Sequence, residues 1–388
     1  MRISEAKDLL GYMPYHLGFH PNESVVAISV RPGRTPGSRS YIGLTMRIDT
    51  VDLLDSQLGQ TNQKLLRPHM EDDGASAVLL VLYSKTNPAA KTKQTDQAFA
   101  PEKLRSLIAA LHKEFDSELP ITGFWVVTDE HYFELDNGHI PPPDDWLKTA
   151  ELNNTQSAAA AVYNGSSVAP SRESLGEITR APAADRDRAQ RATLRWLQRR
   201  KYDGDQSWQL DSWHLWEDAI RAQLRSGQPD AKSSTRPGPV KDPLLLGRLQ
   251  AGLEDIRVRD AVMISNIPGI EDLPRRSVAT NAREEVGKSV DLVLDPSVAV
   301  SPGKEAAAIA QILRAIAAHG AQARSAPTFT LLAWISWWEG EGARAAVLID
   351  RALRIDPSYN MARLVDRMVE IGLPPGWVKR ERELAEVG

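Results

Sequence analysis

No cysteine occurs anywhere in the 388 residues, and that single absence removes disulfide frameworks, thiolate metal sites and cysteine nucleophiles together. Long apolar runs are missing as well. No segment stays apolar for the roughly 20 residues that a membrane span needs. The opening, Met1-Arg2-Ile3-Ser4-Glu5-Ala6-Lys7-Asp8, lacks the apolar centre of a signal peptide. Net charge is small, -4, so the overall field does not hold nucleic acid or an anionic membrane and only local basic patches remain to do so. No phosphate loop, metal-ligand set or nucleophile elbow stands at the spacing its chemistry requires. These absences lead us to expect a soluble, cytoplasmic protein with no membrane contact, no cofactor and no identifiable catalytic residue.

What is present is architecture. The length suits two domains, each with its own core. Ser4 suits the N-cap of a first helix ending at Gly11. Pro14-Tyr15-His16-Leu17-Gly18-Phe19-His20-Pro21-Asn22-Glu23-Ser24 then reads as a short helix, a turn, and the start of a strand through Val30 that is apolar on both faces. A Pro/Gly loop over 31–39 and a second run, Tyr41 to Ile48, complete an antiparallel hairpin. Apolar runs at Ala77–Tyr83 and Phe124–Val127, separated by helical patterns, predict parallel crossovers, and a short strand at Tyr132–Leu135 finishes the sheet. The expected fold is therefore an α/β domain over 1–143, a mixed sheet made of an antiparallel hairpin plus parallel βαβαβ crossovers. An all-α domain over 144–388 follows it.

In the helical half the pattern predicts helices including Trp146–Tyr163, Ser171–Ile178 and Asp185–Arg199. The segment 226–241 reads as a flexible loop, and Ile270–Gly287 is weakly patterned, so disorder is expected at both. Leu332, Ala333, Ala345, Ala352 and Pro357 fall where a tetratricopeptide-like helical hairpin puts its packing and terminating residues. An ordinary hairpin with alanines at the crossing accounts for them better, since fewer than three copies of the unit are visible.

Leu9-Leu10-Gly11-Tyr12-Met13-Pro14 through Val26, then Met46-Arg47-Ile48-Asp49, Pro170-Ser171-Arg172-Glu173-Ser174-Leu175, and the Trp-rich end from Ala326 to Pro375 together resemble the actinobacterial family called domain of unknown function 4192. The resemblance implies a bacterial, intracellular setting and this domain layout. It brings no reaction, cofactor or catalytic residue.

Where chemistry would sit follows from topology. Strands ending at Ile48, Tyr83 and Val127, if parallel, bring Asp49, Asp52, Ser84, Lys85, Thr128, Asp129 and Glu130 to the carboxyl edge of the sheet, where open α/β sheets bind ligands. The same residues serve as helix caps and turns. His16 and His20, with Glu23, form a weak metal candidate, since Gly18 and Pro21 interrupt the helix that would align them. Ser171-Arg172-Glu173-Ser174 suits a helix cap. Arg188, Arg191, Arg195 and Arg199, with Arg200 and Lys201, line one helix face and Arg31, Arg34 and Arg39 decorate the hairpin loop, but a solvated face explains them better than nucleic acid does. Of ten tryptophans, Trp208, Trp213, Trp216, Trp334, Trp337 and Trp338 stand as a partner surface if exposed and as core if not. The first functional expectation is a non-enzymatic protein-binding or regulatory protein. The alternative is a metal-dependent hydrolase or phosphate-handling enzyme working through the sheet-edge carboxylates.

Overall fold

The structure is a computed structural model that describes residues 5–33, 40–55, 59–88, 100–115, 118–163, 168–226, 239–280 and 282–387, the side chains of 59–65, 239 and 382–387 excepted. Two compact units divide the chain, Met1–Ser174 and Leu175–Gly388.

The first unit contains α1 (Ala6–Leu17), β1 (Ser24–Arg31), β2 (Tyr41–Asp49), α2 (Thr50–Leu54), α3 (Gly59–Asp72), β3 (Ala77–Tyr83), α4 (Pro101–Glu114), β4 (Ile121–Val127), β5 (His131–Glu134), β6 (Leu147–Lys148) and α5 (Gln156–Tyr163). Its six-stranded sheet has the order β2-β1-β3-β4-β5-β6. β1 lies between β2 and β3, antiparallel to both, and β3–β4 is the parallel pair. The crossover through α2 and α3 therefore carries the chain over β1 instead of setting β3 beside β2. β2, β3 and β4 nonetheless run in one direction.

β1 is central because both of its faces are covered. Val25 and Ala27 join a core with Leu66, Met70, Leu107 and Leu111, while Val26 and Ile28 join another with Leu9, Leu10, Met13 and Leu152. Gly11 does not end the first helix: α1 runs through it and through Pro14 to Gly18, whose φ of 81° closes the helix in the left-handed region. A Cβ at Gly11 would lie 2.4 Å from Thr155 Oγ1 and 2.5 Å from the Leu152 carbonyl, so the missing side chain is what lets α1 lie against the 152–155 segment. The Ser157 hydroxyl donates to the Asp8 carbonyl at 2.5 Å, and Lys7 pairs with Glu151 at 2.8 Å.

These contacts draw 144–174 into the first unit, past the triple proline at which the sequence pattern changes. Trp146–Tyr163 is correspondingly not one helix but β6, a 3-10 segment (Thr149–Asn154) and α5, and Ser171–Ile178 shrinks to a 3-10 turn at Glu173–Gly176.

The second unit is helical: α6 (Ala183–Asp203), α7 (Asp205–Ser226), α8 (Pro243–Gly252), α9 (Ile256–Ile264), α10 (Leu273–Ala279), α11 (Arg283–Ser289), α12 (Asp291–Leu294), α13 (Lys304–His319), α14 (Ala326–Trp338), α15 (Gly342–Ile355), α16 (Asn360–Glu370) and α17 (Gly376–Val387). Helices α10 and α11 replace the disorder expected over Ile270–Gly287, because Leu273, Val278 and Ala282 enter the core. Most of the 226–241 loop, residues 227–238, lies outside the described residues. Every residue of α14 is buried, and α15 packs against it to form a helical hairpin. Among the described residues, no helix is long and apolar enough to cross a membrane.

The tryptophan surface is corrected here. Trp208, Trp213, Trp216, Trp334, Trp337 and Trp338 are all between 0% and 3% exposed. Four of their indole N–H groups tie segments together: Trp208 donates to the Trp196 carbonyl at 2.7 Å, Trp216 to Leu249 at 3.2 Å, Trp337 to Leu373 at 2.8 Å and Trp338 to Val300 at 3.0 Å, while those of Trp213 and Trp334 are buried without a partner. Large flat side chains fill the space between cylinders, here beside Phe329, Leu331, Leu332 and Ile335 of α14 and Ile220 of α7.

Candidate functional site

At the carboxyl edge of the first unit's sheet, three segments that are far apart in sequence meet. Phe19 forms a parallel bridge with Ala169, flanked by hydrogen bonds from the His20 N–H to the Ala169 carbonyl at 3.1 Å and from the Ala169 N–H to Gly18 at 2.8 Å. This seats the Ser171–Ser174 turn beside the end of β2. Arg47, near that end, donates to Asp49 at 2.6 Å and to the Asn22 carbonyl at 3.3 Å, and its guanidinium carbon stands 5.5 Å from the centre of the Phe19 ring. Arg172 approaches Asp49 from the other side at 3.6 Å. The Asp49 carboxylate is thus bracketed by two guanidinium groups and is about a third exposed. Arg47 Nε is buried without an acceptor.

Glu23 takes φ of 42°, a region in which a side chain other than glycine's is strained. Its carboxylate compensates by accepting from the Ser84 hydroxyl at 3.0 Å and the Lys85 N–H at 2.8 Å, while its carbonyl accepts from the Thr50 N–H at 2.8 Å. One residue in the left-handed region therefore ties the ends of β1, β2 and β3 together.

The seven residues expected at this edge do not make one pocket. Asp49 and Asp52 sit at the end of β2, and Ser84 and Lys85 at the end of β3. Thr128, Asp129 and Glu130 sit at the β4–β5 turn, three strand spacings or about 14 Å from β2. Thr128 is a turn residue by its bonds: its hydroxyl donates to the His131 carbonyl at 2.8 Å and accepts from the His131 N–H at 3.0 Å. Asp129 and Glu130 are exposed. Asp52 has its carboxyl pushed above the usual range, first by burial and then by the Asp49 charge, against the pull of Arg172 and Arg47.

His16, His20 and Glu23 each go a separate way. His16 Nε2 lies 3.1 Å from the Thr45 hydroxyl and its ring packs against Tyr12, His20 is exposed, and Glu23 is engaged as above. Among the described residues, no group of three or more His, Cys, Asp or Glu side chains is arranged to hold a metal ion. Ser171 and Ser174 form a local turn, the Ser171 N–H donating to Ser174 Oγ at 3.1 Å and Ser174 Oγ to the Ser171 carbonyl at 2.6 Å. A hydrogen bond from the Ser171 side chain holds the Glu173 carboxyl below its ordinary value.

The basic face of α6 is partly neutralised inside its own unit. Arg188 pairs with Asp185 at 3.6 Å, Arg199 with Asp203 and with Asp211 at 2.7 Å, and Arg200 with Asp205 at 2.6 Å and Asp255 at 3.0 Å. Arg191 and Arg195 are exposed. In the hairpin, Arg31 lies 3.8 Å from Asp73, and Arg34 and Arg39 fall outside the described residues.

A mixed α/β unit with a polar, ion-paired carboxyl edge, followed by a helical unit, is the class of protein these features define. The chain belongs to the family described as domain of unknown function (DUF4192), which it matches over residues 7–268 and 286–376. None of the curated proteins and none of the solved structures matches it.

Proposed function

We propose that the chain is a non-enzymatic protein-binding or regulatory protein of an actinobacterial cytoplasm, and that it meets a protein partner at the carboxyl edge of the first unit's sheet. The observation that carries this reading is the prior engagement of two carboxylates at that edge: Asp49 between Arg47 and Arg172, Glu23 on Ser84 and Lys85. A general base needs a carboxylate free to take a proton, and a metal site needs several ligands converging on one point. Part-exposed charge pairs serve recognition instead, because their fixed pattern of sign selects a complementary surface and rejects others. The α14–α15 hairpin supports the same reading, with Leu332, Ala333, Ala345 and Ala352 buried at the helix crossing and Pro357 just beyond α15, as in a tetratricopeptide-like contact module.

One observation favours a second reading, a metal-dependent hydrolase or phosphate-handling enzyme: Asp52, whose carboxyl holds its proton more tightly than usual beside Asp49. A single experiment separates the two. Thermal shift is measured against divalent cations and nucleotides for the wild type, Asp49→Ala and Asp129→Ala, alongside crosslinking capture of partners by wild type and by Arg172→Glu. The binding reading expects flat metal and nucleotide responses and a captured protein that the charge reversal loses. Stabilisation by metal that Asp49→Ala abolishes would overturn it in favour of the enzyme.

A further inference from the structure

Two arginines at the start of the helical unit share a cavity, and among the described residues no carboxylate is paired to either. The cavity, about 330 Å³, lies between the first two turns of α6 and the turn after α13, and is lined by Arg180, Arg186, Asp187, Gln190, His319 and Gln322 among others. The Arg180 guanidinium is fixed in place, donating to the Ala317 carbonyl at 2.6 Å and the Gly320 carbonyl at 2.9 Å, and the next residue is anchored by the Ala181 N–H to the Ala318 carbonyl at 3.1 Å. Arg186 has no such tether: its Nε is buried and has no acceptor. Among the described residues no ion pair engages Arg180, Arg186 or Asp187, whereas Arg188, Arg199 and Arg200 farther along α6 each have one. The two cations also feel each other, since burial first and the Arg186 charge second lower the Arg180 pKa.

Like charges held in one cavity destabilise the unoccupied protein, and a bound dianion turns that cost into affinity. Planar guanidinium groups match phosphate oxygens with two parallel N–H bonds each. The lone carboxylate of the lining, Asp187, does not cancel two cations, one of which is held in place. Volume decides how large the ligand is. About 330 Å³ is more than an inorganic phosphate fills and lies at the lower end of small-molecule sites. Gln190 and Gln322 supply neutral amide groups suited to hydroxyls on the remainder of such a molecule.

We propose that this cavity binds a small phosphomonoester, its phosphate held between the guanidinium groups of Arg180 and Arg186. The test is calorimetric titration and thermal shift of the full chain with inorganic phosphate, glycerol 3-phosphate and succinate at constant ionic strength. The expected result is saturable binding of both phosphates, the monoester at least as tight as the free ion, and succinate weaker. Arg186→Gln should weaken phosphate binding at least tenfold and Arg186→Lys by less. In phosphate-free buffer Arg186→Gln should melt at or above the wild-type temperature, because it removes the repulsion with Arg180. The proposal is overturned by an unsaturable response, by succinate binding more tightly than phosphate, or by free phosphate binding more tightly than the monoester. Unchanged affinity in Arg186→Gln would overturn it too, as would a lower melting temperature of that variant without phosphate, which would make Arg186 a structural residue.

Discussion

Glu339 is the C-cap of α14, at the negative end of a helix whose every side chain is buried. Burial, and then the nearby Glu341, push its pKa above the ordinary carboxylate value despite Arg314 and Arg344. An acid whose folded pKa is raised stabilises the fold in its protonated form, and that contribution is lost as pH rises through the folded value. Glu339→Gln should therefore stabilise the protein at pH 7 by about 0.5 kcal/mol, the usual scale for a helix-end charge. The gain should disappear as pH falls below the ordinary carboxylate range, so denaturant melts at pH 7 and at low pH check it. At the same scale, the candidate site was only half legible. Asp49 stood out because an acid after a strand reads as a cap or a ligand. Arg47 and Arg172, which give it its setting, did not stand out as a pair: their meeting depends on the Phe19–Ala169 bridge, a contact between residues about 150 apart that no local pattern encodes.

At the scale of elements, glycines mark where helices touch. α6 and α8 approach so closely that a Cβ on Gly247 would lie 2.1 Å from the Ala189 carbonyl oxygen, and the Thr193 hydroxyl already bridges the two helices by donating to the Gly247 carbonyl at 2.9 Å. Gly247→Ala should cost about 2 to 3 kcal/mol, since backbone must move to admit the methyl group. Gly287, in α11, has nothing within 4 Å of its would-be Cβ. There the same substitution should gain about 0.5 to 1 kcal/mol from helix propensity alone, and urea melts of the two variants give the comparison. The contrast explains why elements were legible unevenly. Strands β1, β3 and β4 were readable because unbroken apolar runs bounded by turn residues have few other solutions. Gly11 misled because from sequence a glycine inside a helical pattern signals an end, and here it signals a neighbour.

For the whole molecule, the question is where one unit stops. Periodicity changes character at Pro141–Pro143, and a reading from pattern divides the chain there. Packing divides it at Ser174, because β6 extends the sheet, Leu152 is 6% exposed in the α1 core, and Ala158 and Ala161 of α5 are buried beside it. A helical pattern reports only that a segment is helical, not which core it serves, so the sequence had no means of assigning α5. Expressed alone, 1–174 should give a cooperative melt with mixed α/β circular dichroism. A fragment 1–143 would leave the Leu152 contact surface of Leu9, Leu10 and Met13 open to water. Removing one buried leucine costs about 2 to 5 kcal/mol, a large part of the stability of a unit this size. The shorter fragment should accordingly melt without cooperativity or aggregate. If it instead melts as sharply and as high as 1–174, then the 144–174 segment contributes nothing to the first core, and the division belongs at the prolines after all.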